Sequence, residues 1–223
     1  ITHDGREYSG DILVGADGIK SAVAAQMRGA EKPAFTGNTA WRAIVPLAAL
    51  GDLAPPPTAC VWMGAGRHAV TYHLGNDLVN FVGVVERRDW QNESWTEAGD
   101  KQDALADFAG WHPVIENVIK AAAPGALFRW ALFDRPSLLI WRDGRAILLG
   151  DAAHPMLPFL AQGAAMAIED GFVLAQAIKT QTGLSEGFSA YKNARFPRTS
   201  KMQSASRANM KTFHRKSKVS QLM

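Results

Sequence analysis

Residues 148–171 read LLGDAAHPMLPFLAQGAAMAIEDG. An apolar run stops on Gly150-Asp151, small residues and the prolines 155 and 158 follow, and a helical pattern opens on Gln162-Gly163-Ala164-Ala165. The order is that of a strand, a stiffened loop and a helix. Such a junction brings together a carboxylate that can accept hydrogen bonds from hydroxyls and a helix start whose N–H groups are unpaired and carry partial positive charge. Asp151 is the carboxylate, and Gln162 to Ala165 supply the amides. Anything larger than a methyl group at Gly163, Ala164 or Ala165 would hold a flat ring away from the backbone. The competing reading makes Asp151 a loop acid and the Gly/Ala run a close packing site. The residues alone leave both open.

Outward from this stretch, GRAILLGD (144–151) reads as a buried strand. Gln162 to Lys179 reads as a helix expected to bury Ala164, Ile168, Phe172, Ala175 and Ile178, and the chain from Leu184 onward is mostly helical. Far upstream, ILVGADGIKS (12–21) follows the same α/β pattern, with a strand from Asp11 to Val14, then Asp17-Gly18, then a helix from about Ile19. Between them the pattern is β. NTAWRAIVPL (38–47), TACVWMG (58–64), RHAVTYHL (67–74) and DLVNFVGVVER (77–87) are separated by Pro55-Pro56-Pro57, Gly64-Ala65-Gly66 and Gly75-Asn76-Asp77, which predicts hairpins. Two short helices (101–110 and 112–122) and the strand FRWALFDR (128–135) complete that region.

The predicted fold class is mixed α/β, a Rossmann-like domain interrupted by a mainly antiparallel β-sheet domain. The expected boundaries are 1–30 and 141–185 for the first domain, 31–140 for the insertion and 186–223 for a C-terminal helical segment.

The 223 residues are 47% hydrophobic and 20% charged, an ordinary globular balance. The longest apolar runs are too short to span a bilayer, so no membrane association is expected. The single cysteine, Cys60, excludes an internal disulfide framework and fits a reducing, cytoplasmic setting. Residues 192–223 carry nine basic and no acidic residues, and the remainder carries 15 basic against 21 acidic. The basic residues are interleaved with Phe196, Met202, Met210 and Phe213, which predicts a solvated helical face against an acidic body rather than a nucleic-acid arm.

GDAAHPMLPFLAQGAAMAIED and ILVGADGIKS, in this order and with a β region between them, resemble the "GD" and "DG" motifs of the FAD-dependent aromatic hydroxylases, the group of para-hydroxybenzoate and salicylate hydroxylases. The likeness extends along nearly the whole chain and is closest to the salicylate and hydroxynicotinate hydroxylase branch. It implies an FAD- and NADH- or NADPH-dependent monooxygenase that hydroxylates a small aromatic acid with O2 through a flavin hydroperoxide, with a homodimer as an allowed assembly. It implies that Gly150 and Asp151 bind the ribityl or pyrophosphate part of FAD. Pro155 and Gln162, Gly163, Ala164 and Ala165 would lie along the isoalloxazine, and Asp17 and Gly18 near the pyrophosphate. Two departures stand out. Arginine is usual three residues after Ser21, where Ala24 stands, which speaks against an NAD(P)H role for this segment; asparagine is common at the place of Ala165.

The family opens with a G-x-G-x-x-G turn that cradles the ADP half of FAD. The given sequence is expected to start beyond it, and so to bind FAD poorly and be inactive by itself. GAGRHA (64–69) matches part of the pattern but leads into an alternating strand where the fingerprint needs a helix.

On RHAVTYHL, His68, Val70 and Tyr72 share one face, with His68 and Tyr72 about 13 Å apart at Cα. Read with the resemblance, these two are the catalytic pair: the imidazole draws a proton from a substrate hydroxyl and the phenol holds or relays it. Arg42 is the candidate for a substrate carboxylate, with a cross-strand salt bridge as its bland alternative. His73 faces the other way, and His112 before Pro113 reads as a cap. His154 lacks partners at ligand spacing, so no metal is expected. RRDWQNESW (87–95) is a polar loop. The rival readings are a flavin-dependent epoxidase or halogenase acting on a non-aromatic substrate, and a non-catalytic chain that binds partners through its basic tail.

Overall fold

Polar punctuation and apolar period divide the described part of the chain into thirteen main elements. In the computed structural model, which describes residues 4–87 and 98–216, they begin with β1 (Leu13–Gly15), α1 (Ala22–Arg28), β2 (Ala34–Pro46), β3 (Cys60–Gly64), β4 (Arg67–Leu74) and β5 (Leu78–Glu86). There follow α2 (Lys101–Asp107), α3 (Pro113–Ala121), β6 (Leu127–Asp134), β7 (Arg142–Asp143), β8 (Ala146–Leu148), α4 (Gly163–Thr180) and α5 (Leu184–Phe213). They fall into two units, one made of Ile1–Ala34 with Asp134–Asn209, the other of Phe35–Phe133 with Met210–Met223. The polar loop at 88–95 lies outside the described residues.

In the first unit β1 pairs parallel with β8, and β8 pairs antiparallel with β7. The connection between the two parallel strands is long enough to hold a second unit. Helix α1 starts at Ala22, later than the apolar pattern suggests, because its capping residues precede it. The Asp17 carboxylate accepts from Ser21 Oγ (2.5 Å) and from the Ala22 and Val23 amides, and Ser21 Oγ accepts from the Ala24 amide. Burial alone would raise the Asp17 pKa; the bonds from Ser21, Val23 and Ala22 outweigh it and hold the carboxyl low.

Helix α4 corrects one expectation. It buries Met166, Asp170, Leu174 and Ala177, while Ile168 and Phe172 are 75% and 68% exposed. An apolar stripe selects a helix face only if no other face has a stronger tie, and here Asp170 supplies one. Its carboxylate, fully buried, accepts from the Gly150 amide (3.0 Å), His154 Nε2 (2.5 Å) and Arg195 Nε (2.7 Å). Desolvation pushes its pKa up, but the hydrogen bonds and charges of His154 and Arg195 and the Gly150 bond prevail, and it lies below the ordinary value. Around this cluster pack Trp141, Ile147, Leu148, Ala152, Ala153, Leu174, Phe188 and Tyr191.

The second unit is a five-stranded sheet of order β3-β4-β5-β2-β6. The pair Gly64–Arg67 closes the β3–β4 hairpin over Ala65-Gly66, so the GAGRHA stretch is a hairpin corner. Between β4 and β5, Asn76 and Asp77 take left-handed backbone, as these residue types do more readily than most. One sheet face presents Trp41, Ala43, Val45, Ala69, Val79, Phe81 and Val85 to Ala104 and Phe108 of the α2 segment and to Ile115, Val118 and Ile119 of α3. The period-2 rule then sends His68, Val70, Tyr72, Asn80, Val82, Arg42 and Ile44 to the other face.

At one end of that face His68 Nδ1 lies 2.7 Å from Nε2 of His214, just past α5, and the Phe213 ring is 5.1 Å away. Burial and the neighbouring His214 depress the His68 pKa to about 3, and burial lowers that of His214 despite the Glu86 carboxylate 3.5 Å away.

Two outcomes follow from these contacts. Asp170→Ala leaves a buried guanidinium with only the half-exposed Glu169 for charge, and is expected to cost about 3–5 kcal/mol, with Asp170→Asn milder; urea unfolding measures both. The histidine pair has the opposite dependence from a histidine–carboxylate bridge, whose raised imidazole pKa makes its stability fall as pH rises. Unfolded, each imidazole takes up a proton near pH 6.5, while the folded His68 stays neutral down to about 3, so stability falls as pH drops below 6.5. Thermal melts between pH 7.5 and 5 should show this slope, and His68→Phe should flatten it.

Candidate functional site

The loop after β8 is built from behind. Gly150 sits at φ 62°, and a Cβ there would stand 3.1 Å from the Ala167 Cβ, so glycine both permits the turn and lets the loop approach α4. Its carbonyl accepts from the Ala153 and His154 amides and closes a 3-10 turn over Gly150–Ala152. Arg135, from just after β6, donates to the Asp151 and Ala152 carbonyls. Helix α5 ties the rest: Gln203 Nε2 donates to the Pro155 carbonyl (2.6 Å), Ser206 Oγ to that of Leu157 (2.6 Å), and Asn209 Nδ2 to that of Phe159 (3.3 Å). Buried loop carbonyls are thus satisfied by side chains of one helix, which locks the loop's course.

Asp151 is solvent-accessible at the mouth of this loop, although the surrounding protein raises its pKa against the pull of His154 and Arg135. Further on, Ala161 turns at φ 52°, left-handed backbone that a residue with a side chain adopts at some cost, and α4 begins. No side chain caps that helix. Ala164 is exposed, Gly163 and Ala165 are half-buried, and a Cβ added at Gly163 would meet only the Met156 Cγ, at 3.8 Å. An uncapped helix start with room beside it fits a flat, partly anionic group such as a flavin, and Asp151 lies on the same anchored loop.

The remaining sequence candidates separate. Gly150 and Pro155 are buried, the first through its amide and the second through its carbonyl engaged in holding the loop. The Asp17 oxygens cap α1, and Gly18, at φ 80°, accepts from the Ser21 amide. In the sheet unit His68 is sealed against His214, while Tyr72 is half-buried on the same face. Arg42 is exposed, without an ion-pair partner among the described residues. His73 bonds the Pro55 carbonyl, His112 accepts from the Val114 amide as a helix cap, and His154 is held by Asp170. Among the described residues no group of three His, Cys, Asp or Glu could hold a metal, and no helix is long and apolar enough to cross a membrane.

Sequence reasoning missed Asp170, Gln203, Ser206 and His214. For the α5 residues a signal existed: Arg195, Thr199, Gln203 and Ser206 recur at helical spacing and mark a buried polar face. His214 carried none. Four basic residues of the tail pair with acids: Arg195 and Arg198 with Glu169, Arg207 with Asp134, and Lys216 with Glu86.

Comparison with known proteins agrees with this geometry. Residues 2–206 match the family model described as "FAD binding domain". The chain is 38% identical to a 6-hydroxynicotinate 3-monooxygenase of Pseudomonas fluorescens over 92% of its own length and 54% of that protein. It is 36% identical to a 3-amino-4-hydroxybenzoate 2-monooxygenase of Streptomyces platensis over 95% of its own length and 53% of that protein. In fold it is similar to Klebsiella pneumoniae HpxO complexed with FAD and uric acid (TM-score 0.86, 25% identity, 99% of this chain and 56% of that one). A salicylate hydroxylase substrate complex gives a TM-score of 0.81 at 25% identity, covering 97% of this chain and 58% of that one. The chain spans about half the length of the curated relatives it matches. An anchored Gly-Asp loop, an uncapped Gly/Ala helix start and a match along nearly the whole chain lead to one conclusion: the chain belongs to the FAD binding domain family, the family of its aromatic monooxygenase relatives.

Proposed function

We propose that the protein to which this chain belongs is an FAD-dependent monooxygenase that uses NADH or NADPH and O2 to hydroxylate a small aromatic acid of the hydroxynicotinate or aminohydroxybenzoate kind. The observation that carries the reading is the start of α4, with its uncapped amides, methyl-sized side chains and adjoining open space. Relatives named for oxygenating such acids support the substrate class.

In this reading Gln162, Gly163, Ala164 and Ala165 offer N–H groups to the flavin ring, and Asp151 accepts from hydroxyls of its side chain. Gly150 and Pro155 keep that loop in place. Asp17 and Gly18 contribute by shaping the turn before α1, since the Asp17 carboxylate is spent on the helix. Bound and reduced FAD supplies the oxygen activation. The substrate hydroxyl bonds Tyr72, with neutral His68 as proton acceptor, and Arg42 attracts the carboxylate. Because burial disfavours a charged His68, a proton taken there is passed on and does not come to rest on that ring.

Two measurements test this. In the FAD-loaded protein, 6-hydroxynicotinate or 3-amino-4-hydroxybenzoate is expected to accelerate NAD(P)H oxidation and to yield a product with one new ring oxygen from O2, with CO2 released where that oxygen enters at the carboxylate-bearing carbon; no acceleration by any phenolic or pyridine carboxylic acid rejects the reading. Ala164→Glu separates a cofactor berth from a packing corner. A carboxylate in the first turn suits the helix dipole, so the melting temperature should hold or rise. It occupies the ring's place, however, and FAD affinity should fall at least about tenfold, or ~1.4 kcal/mol, read from flavin absorbance per protein.

A further inference from the structure

The open face of the five-stranded sheet contains a polar group with no use in the fold. Asn80 lies in β5 directly opposite Tyr72 of β4 and opposite Ile44 of β2. The strand period puts all three side chains on the face away from the α2 and α3 core, while the flanking Val79 and Phe81 point into that core. Asn80 is only 1% exposed, yet neither its Nδ2 nor its Oδ1 has a hydrogen-bond partner among the described residues. Around it the face is not closed: Tyr72 is half-buried, and Ile44, Val61 and Met63 are 41%, 45% and 56% exposed.

An unpaired buried carboxamide is costly, and leucine in the same place would give the sheet its volume without that cost. The fold therefore gains nothing from the amide. A ligand does, and the two unpaired atoms say what it must carry. Nδ2 needs an acceptor and Oδ1 needs a donor, and the planar amide sets them side by side. A carboxylate edge offers acceptors only and leaves Oδ1 unpaired. A hydrocarbon edge satisfies neither atom. A planar ring with a donor and an acceptor on adjacent positions satisfies both, in the two-point manner by which asparagine grips the edge of adenine.

We propose that Asn80 is a specificity-determining residue that reads a donor–acceptor edge of the aromatic substrate, an ortho amino-hydroxy pair or the N–H/C=O edge of a hydroxypyridine, beside the Tyr72 hydroxyl. The assignment rests on the aromatic hydroxylase reading and narrows its substrate class. It accounts for the burial and the lack of partners of Asn80 together, and makes the preference for such rings a property of one side chain.

The test uses the FAD-loaded protein and Asn80→Leu, with 3-amino-4-hydroxybenzoate and 4-hydroxybenzoate as probes. The two differ by the amino group that completes the edge. Dissociation constants come from the change in flavin absorbance, and melting temperatures are taken without ligand. The wild type is expected to prefer the amino compound at least about tenfold, and Asn80→Leu to lose that preference while melting at the same or a higher temperature. A lower melting temperature, or failure to fold, shows that the carboxamide is bonded within the fold and overturns the assignment. An equal preference in both proteins overturns it too, while the hydroxylase reading stands. If the wild type binds neither acid, the substrate reading and the Asn80 assignment fall together.

Discussion

A single buried carboxylate organises the first unit. Asp170 takes a backbone amide from the Gly-Asp loop, an imidazole from the same loop and a guanidinium from α5. A charge with no exposure tolerates little displacement, because every lost partner leaves it or Arg195 uncompensated in a low-dielectric interior. The loop, α4 and α5 are therefore fixed as one piece, and the angle at which α4 presents its first turn follows from that piece.

Rigidity behind the loop has a counterpart in openness before it. The carbonyls of Pro155, Leu157 and Phe159 are matched by Gln203, Ser206 and Asn209. The helix start, by contrast, has its amides uncapped and its side chains trimmed to Gly and Ala. A site that holds a flat cofactor benefits from both properties, since groups aligned in advance need not be ordered when the ligand arrives.

The sheet unit divides its labour by face. Its packed side is apolar, with Trp41, Phe81 and Phe108 in one cluster. Its other side carries Arg42, His68, Tyr72 and Asn80, side chains that an apolar core has little use for. His68 is the most constrained of these: its contact with His214 ties β4 to the residues just beyond α5 and keeps the imidazole neutral. Buried and hydrogen-bonded, it is unsuited to storing a proton.

Local pattern determined a good deal by itself. Alternating β-branched and aromatic residues between Gly- and Pro-rich turns specified the β2 to β5 strands, and the Gly-Asp and Gln-Gly-Ala-Ala junction specified the loop and helix start of the candidate site, because strand period, turn chemistry and helix starts are properties of neighbours in the chain. The face that α4 buries was not legible in this way. Ile168 and Phe172 outrank Asp170 on any hydropathy scale, yet Asp170 is inside, since its partners Gly150, His154 and Arg195 stand up to 25 positions away and only the folded chain assembles them. The same holds for His68, whose partner is 146 residues distant. Asp17, which motif reasoning offered to a cofactor, is spent on α1. Tertiary structure decided these points because the energy of a buried polar group depends on which partners surround it, and a linear pattern records the group without the partners.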